Sequence, residues 1–189
     1  MIIREAVLED ARAIAHVRVA SWRTTYRGKL PKEYLEAMDI DTYTGAWEGI
    51  LQARGAQGYT YVAEDVGGQI KGFAVGGWNR TEGTAYQGEL YAIYLLKEAQ
   101  RGGTGRRLAG WVAQRLQREG FNSMMVWVMA DNPARRFYQK LGGRFVMERE
   151  SFIGGTRVRE VAYGWEDLLP LIGGIDGPTG TQNEDQRES

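Results

Sequence analysis

The sequence predicts an α/β protein of the α+β kind, in which hairpin strands and helices share one core. Asp65–Gly68 separates two strand-like runs, which is a strong hairpin signal. Leu108, Val112 and Leu116 repeat at every fourth position, as on the buried face of a helix. Ser123–Met129 is almost wholly apolar, as expected of a strand buried on both faces.

The N-terminal part of the chain predicts one strand followed by helices. Asp10 is a helix-capping residue type, Gly28 stops the first helix, and Pro31 is suited to the first turn of the next one. The predicted elements are a strand at Ile2–Ala6, a helix from Ala11 to about Thr25, and a split helical region at Lys32–Met38 and Thr42–Ala53.

The remaining elements alternate between strands and helices up to about residue 170. They are strands at Tyr59–Glu64, Gln69–Gly76 and Leu90–Leu96, a helix at Thr104–Glu119, the strand Ser123–Met129, a helix starting at Asp131–Pro133, and strands near Arg144–Ser151 and Val158–Gly164. Residues 1–170 are therefore expected to form one domain. Residues 173–189 contain no aromatic and one aliphatic residue, so we expect a disordered tail.

Composition removes several classes of function. The formal net charge is +0, so no bulk field attracts nucleic acid or anionic lipid. The chain has no cysteine and a single histidine, His16, which argues against a metal site and a cysteine nucleophile. Neither a membrane-spanning run nor a signal-peptide core is evident. The expectation is a cytoplasmic protein without a metal, a membrane anchor or a nucleic-acid partner.

The stretch from the strand Leu90–Leu96 through Gln100–Gly105 into a helix predicts an anion site, because free backbone N–H groups converge at a helix N-terminus. A dinucleotide-binding fingerprint is excluded because Leu108 stands where the third glycine belongs. A P-loop is excluded because no Gly-Lys-Ser/Thr follows. A plain turn between strand and helix remains an alternative.

Two segments carry a resemblance to a known family. Gln100-x-x-Gly103-x-Gly105 resembles the R/Q-x-x-G-x-G/A pyrophosphate loop of the GCN5-related N-acetyltransferase (GNAT) superfamily. Asn132–Gly143 resembles the family pattern N-x-x-A-x-x-F-Y-x-K-x-G. The order of elements agrees over roughly residues 1 to 168. The resemblance implies a mixed, mostly antiparallel sheet of about six to seven strands flanked by helices.

The resemblance implies acetyl-CoA as co-substrate and no metal. It assigns cofactor binding to Ile93, Tyr94, Leu95, Gln100, Arg101, Gly102, Gly103, Thr104, Gly105, Arg106, Asn132 and Tyr138. Gly103 and Gly105 would let phosphates approach the backbone because they lack Cβ atoms. Arg101, Arg106 and Arg107 would add charge for the 3′-phosphate, or form a solvated helix face. The side chains of Ile93–Leu95 are equally compatible with core.

The implied chemistry is attack of a neutral amine on the thioester. Backbone N–H groups near Ile93–Leu95 would stabilise the oxyanion, and Tyr138 would protonate the thiolate. Glu89 is the candidate base, with His16 as a second candidate. Each has a structural alternative: Tyr138 as core, Asn132 as a helix cap, and Glu89 as an exposed strand-end residue.

The acceptor is the least constrained part of this prediction. The aromatic residues expected near it are Trp22, Tyr26, Trp78 and Tyr86. The sequence predicts an N-acetyltransferase acting on a primary amine of a small molecule in a ternary complex. A protein N-terminus as acceptor, a non-catalytic acyl-CoA-binding module and a homodimer remain open.

Overall fold

Seven strands form one mixed sheet in the computed structural model, which describes residues 1–53 and 58–173. The strands are β1 (Ile2–Glu5), β2 (Tyr59–Glu64), β3 (Ile70–Trp78), β4 (Gly88–Leu95), β5 (Met124–Met129), β6 (Arg144–Ile153) and β7 (Thr156–Trp165). Their order across the sheet is β1-β2-β3-β4-β5-β7-β6. All neighbouring pairs are antiparallel except β4 and β5. The predicted fold class is confirmed.

Helices cover both faces of the sheet. They are α1 (Ala11–Thr25), α2 (Lys32–Glu36), α3 (Ile40–Gln52), α4 (Thr104–Arg118), α5 (Arg135–Lys140) and α6 (Leu169–Ile172). The helices α4, α5 and α6 pack on one face, whereas α1 and α3 pack on the other, with α2 beside the end of α1. No helix in these described ranges is long and apolar enough to cross a membrane.

The predicted elements are present, with shifts at their ends. The helix expected to start at Asp131–Pro133 begins only at Arg135. The reason is local: the side-chain oxygen of Asn132 accepts the N–H of Ala134 at 2.9 Å and holds a turn before the helix. The predicted tail, residues 173–189, lies outside the described residues except for Gly173.

The parallel pair β4 and β5 separates soon after it begins. Only Gly88 with Met124 and Glu89 with Met125 are paired across it. From Leu90 onward β4 pairs only with β3, while β5 continues to pair with β7. One edge of β4 is therefore open to an extended ligand between Leu90 and Leu95, although the carbonyl of Leu95 itself already accepts side-chain hydrogen bonds.

The departure of β4 begins at a bulge. Gly76 of β3 pairs with Leu90, but Val75 pairs with Ala92, so Tyr91 is an extra residue in β4. A bulge bends the strand and increases its twist. Next to it, α4 lies so close to β3 that a Cβ atom on Gly76 would overlap the side chain of Val112.

Candidate active site

The segment from the end of α1 to the start of α2 bridges the mouth between the diverging strands. On the β4 side, the hydroxyl of Ser21 donates to the carbonyl of Leu95 at 3.2 Å. On the β5 side, Lys29 donates to the carbonyl of Asp131 at 2.6 Å, just past the end of that strand. The gap between β4 and β5 is thus closed over by α1 and its following loop at this end of the sheet.

The N-terminus of α4 presents unpaired N–H groups beside this gap. Its first backbone hydrogen bond runs from Arg107 to the carbonyl of Gly103 at 3.1 Å. Within the described chain, the N–H groups of residues 101–106 have no protein acceptor. These groups and the helix dipole together favour an anion.

Backbone strain marks the same turn. Gly103 has φ +81°, and Arg101, at φ +66°, is the sole non-glycine residue with positive φ in the described ranges. Such a conformation is costly for a residue with a Cβ atom, and it occurs most often at functional sites. The turn therefore holds its N–H groups in an arrangement that an ordinary strand-to-helix connection does not require.

The role expected for Gly105 needs correction. A Cβ atom there would lie 3.2 Å from the ring of Phe137 in α5, so the missing side chain makes room for helix packing rather than for a phosphate. Gly102 and Gly103, in contrast, have no atom within 4 Å of the Cβ position. Gln100 turns back and donates to the carbonyl of Leu95 at 3.1 Å.

Tyr138 approaches the gap from the face covered by α5. It is 5 % exposed, and no described residue forms a hydrogen bond with its hydroxyl group. Burial raises its pKa above the ordinary value, with smaller contributions from the nearby Tyr94 and Tyr26. Those two tyrosines belong to the opposite face, so the three side chains come together through the gap. At neutral pH Tyr138 keeps its proton.

Asn132 is held by two hydrogen bonds, since its amide group donates to the hydroxyl of Tyr26 at 3.0 Å in addition to accepting from Ala134. It is buried. The alternative of a helix cap is wrong, because Ala134 occupies the cap position of α5 and Asn132 instead holds the turn that precedes it. Its contact with the pantetheine arm stays a prediction.

Glu89 lies at the closed end of the gap and is buried, so the alternative of an exposed strand-end residue is wrong. One carboxylate oxygen accepts the backbone N–H of Arg80 at 3.0 Å, and the other accepts its guanidinium at 2.8 Å. The same guanidinium lies 3.6 Å from the ring centre of Tyr91. The contacts with Arg80 therefore fix the Glu89 side chain on the face opposite α4.

A second carboxylate on that face, Glu160, was missed in the sequence. Its position in β7 is opposite Met129, the last residue of β5, so that β5 separates it from the gap, and its side chain is 14 % exposed. Arg149 donates to one of its oxygens at 2.9 Å and also stacks over Trp127. The signal was available, because strand alternation puts residue 160 on the same face as the buried Val158.

The aromatic residues expected around the acceptor divide into two groups. Trp22 lies 4.8 Å from Tyr26 and 6.4 Å from Tyr94, measured between ring centres. Trp78 lies elsewhere: it pairs with Gly88, about 20 Å along the sheet from Tyr94. Trp78 is 69 % exposed and packs against Phe121 near the end of α4, on the other face of the sheet.

Two further candidates are also placed apart from this centre. Tyr86 packs over Gly164 of β7, with its ring where a Cβ atom of that glycine would be. His16 is on the exposed side of α1. In the described ranges, no three Asp, Glu or His side chains come together as ligands of a metal ion would.

Comparison with known proteins agrees with this geometry. The family model for FR47-like proteins matches residues 80–152, which contain both the glycine turn and the segment Asn132–Gly143. An uncharacterised N-acetyltransferase, YuaI of Bacillus subtilis (strain 168), is 44 % identical over 169 residues, covering 89 % of this chain and 95 % of YuaI.

Solved structures share the fold at lower identity. The PaiA N-acetyltransferase from Thermoplasma acidophilum, in complex with coenzyme A, has a TM-score of 0.66 and 21 % identity, covering 84 % of this chain and 96 % of PaiA. The ribosomal-protein-alanine N-acetyltransferase from Brucella melitensis has a TM-score of 0.66 and 19 % identity, covering 87 % and 99 %. With the relationship to YuaI, these findings show that the chain is an N-acetyltransferase of the GCN5-related superfamily.

Proposed function

We propose that this protein transfers the acetyl group of acetyl-CoA to a primary amine of a small molecule, by direct attack in a ternary complex. The observation that carries the proposal is the open edge of β4, which has the N-terminus of α4 at one end and the Tyr138 hydroxyl group across the gap. One ligand that has both a pyrophosphate and a thioester on an extended arm would occupy all three features.

Residues 101–106 fit the pyrophosphate because their N–H groups lack protein acceptors and face open space at Gly102 and Gly103. The exposed side chains of Arg101 and Arg106 add positive charge there. The pantetheine arm would follow the free edge of β4 at Ile93–Leu95. The fold shared with the coenzyme A complex of PaiA supports this assignment.

In the transfer step, the amine nitrogen forms a bond to the acetyl carbon while negative charge develops on the carbonyl oxygen. A backbone N–H near Ile93–Leu95 would donate to that oxygen. As the carbon–sulfur bond breaks, the hydroxyl of Tyr138 would give its proton to the thiolate. Because burial raises the pKa of Tyr138, the proton is available at neutral pH.

The ammonium proton must be removed before or during the attack. Glu89 is the base expected from the family resemblance, and its buried side chain pairs with Arg80 at 2.8 Å. It lies several residues along β4 from Ile93, so a water molecule would relay the proton. Glu160 is the carboxylate nearer the open part of the gap.

A panel of primary amines, read by thiol release from acetyl-CoA and by the mass of the acetylated product, tests the proposal. We expect at least one small amine to be acetylated and to release thiol in equal amount. Acetyl-CoA binding without turnover of any amine or peptide would instead identify a non-catalytic acyl-CoA-binding module.

A protein N-terminus is the second candidate acceptor, and one feature favours it. An open groove of about 810 Å³ lies beside the loop that follows α1. Its lining includes four cationic side chains, Arg23, Arg27, Lys29 and Lys32, and one carboxylate, Glu36, which pairs with Lys32 at 3.6 Å. Such a groove would suit an acidic peptide. Peptides and their N-terminal amino acids, compared as acceptors in the same assay, distinguish the two candidates.

A further inference from the structure

Arg18 is a half-buried cation without an anionic partner. Its Nε atom is fully buried and has no hydrogen-bond acceptor, and no described carboxylate lies within ion-pair distance of its guanidinium. The other basic residues of α1 behave differently. Arg12 pairs with Asp41 at 2.5 Å, and Arg23 donates to three backbone carbonyls beside α2.

The position of Arg18 in α1 places it on the inner side of the helix, one turn before Trp22. Ile14 and Trp22, four residues before and after it, are both buried. The guanidinium carbon lies 5.4 Å from the ring centre of Trp22 and 4.9 Å from that of Tyr43. Aromatic faces offset part of the cost of holding a cation there, but they supply no acceptor for its N–H groups.

This cation is close to the reacting centre. Burial raises the pKa of Tyr94, and the positive charge of Arg18 partly opposes that rise. Tyr94 in turn contributes to the raised pKa of Tyr138. The geometry agrees, because Trp22, whose ring the guanidinium contacts, lies 6.4 Å from Tyr94 of β4, measured between ring centres.

The opposite side of the same face carries negative charge. Glu160 on β7 lies opposite Met129, the last residue of β5, and is paired with Arg149 through one of its oxygens, which leaves the other oxygen for a ligand. A molecule with an ammonium group near Glu160 and an anionic group near Arg18 would match both charges. Arginine holds a carboxylate through two parallel hydrogen bonds, which also fixes the ligand's orientation.

We infer that the acceptor is a small amine that also carries a carboxylate group, as a free amino acid does, and that Arg18 binds this carboxylate. The inference rests on the proposed acetyl transfer and adds the substrate class. A peptide N-terminus has no free carboxylate next to its amino group, because the carbonyl of its first residue is part of an amide bond. It would therefore bind without the contact to Arg18.

The test compares free amino acids with their C-terminal amides as acceptors in the thiol-release assay. We expect the carboxylate form of the preferred acceptor to have a kcat/KM about 10- to 100-fold higher than its amide, the usual size of a charge-assisted pair. In Arg18→Met, which keeps the apolar stem, this preference should disappear through a higher KM with kcat little changed. Arg18→Lys should restore part of it.

Arg12→Met, on the same helix but in an exposed ion pair, is the matched control and should keep the preference. Equal use of acids and amides by the wild type, or an undiminished preference in Arg18→Met, would overturn the inference. The inference would also be overturned if the enzyme acetylated only peptides or amines that lack a carboxylate group. That result would still support the proposed acetyl transfer. Failure to bind acetyl-CoA would instead overturn the proposed function.

Discussion

Gly102 and Gly103 are neighbours in the turn before α4, but only one of them depends on being glycine for its backbone. Both point their missing side chains into open space. Gly103 has φ +81°, whereas Gly102 has an ordinary backbone. A left-handed conformation costs about 1–2 kcal/mol for a residue with a Cβ atom. The arrangement of N–H groups that we propose for the pyrophosphate thus depends on Gly103 and not on Gly102.

Gly103→Ala should therefore weaken acetyl-CoA binding, because the turn must either keep the strain or change shape. We expect the Kd to rise about 10-fold, which corresponds to the cost of that strain. Gly102→Ala is the matched control and should change the Kd less than about 2-fold. Titration calorimetry measures both. Equal affinities of the two variants would contradict the assignment of this turn to the pyrophosphate.

Tyr138→Phe removes one hydroxyl group from a side chain that no described hydrogen bond holds in place, so the fold should be retained. We expect turnover to fall about 10- to 1,000-fold, as for the loss of an acid or donor, with little change in the Kd for acetyl-CoA. Thiol release and calorimetry check the two parts. Unchanged turnover would mean that water protonates the thiolate.

The close packing of α4 on β3 positions the part of the site that we propose for the cofactor. Gly76 in β3 leaves space for Val112, and the bulge at Tyr91 directs β4 away from β5 just beyond that contact. The N-terminus of α4 is positioned by the same packing. A substitution that pushes α4 away from β3 would therefore disturb both the core and the turn at the N-terminus of α4.

Gly76→Ala should destabilise the protein, because its new methyl group would overlap Val112 and approach the carbonyl of Glu89 to 2.9 Å. We expect a loss of about 1–3 kcal/mol in the free energy of unfolding, as for other overpacked cores. Gly49 occupies an exposed position in α3, and no atom lies within 4 Å of where its Cβ atom would be. Gly49→Ala should therefore be neutral or stabilise the protein by up to about 1 kcal/mol. Urea denaturation measures both, and a neutral Gly76→Ala would mean that α4 can shift.

Across the whole molecule, Arg4 joins the first strand to two other parts of the chain. Its guanidinium donates to Asp10, before α1, at 2.7 Å and to Glu64 at the end of β2 at 2.6 Å. Burial alone would raise the pKa of Asp10, but the hydrogen bond from Arg4 and the N–H of Val7 outweigh it, so the pKa is lowered. The folded state therefore favours the ionised carboxylate.

This linkage predicts sensitivity to acid. A carboxylate with a lowered pKa in the folded state contributes its full stability above the unfolded value of about 4, and loses it as the pH falls further. In Asp10→Asn, the free energy of unfolding at neutral pH should fall, and its decline below about pH 4 should be shallower. Urea titrations at several pH values check this. Glu82→Gln, an exposed residue, is the control; an identical acid slope in wild type and Asp10→Asn would contradict the prediction.

The parts of the fold that could be predicted are those with local causes. The hairpin at Asp65–Gly68, the apolar face of α4 and the buried strand β5 each follow from the spacing of a few neighbouring residues. The start of α5 was placed too early because Asn132 uses its side chain to hold a turn. The spacing in β7 predicts the face that Glu160 occupies, but neither it nor the helical spacing of Arg18 shows which strand or aromatic ring lies opposite.

The sequence by itself determined the order of elements, the family and the anion turn, because motifs with fixed spacing require specific backbone conformations within a few residues. Only the tertiary structure decided which side chains share the acceptor face. Trp78 and His16 are excluded from that centre, whereas Arg18 and Glu160 border it. The physical reason is that strand order and helix packing bring together residues more than a hundred positions apart, and no local pattern records such distances.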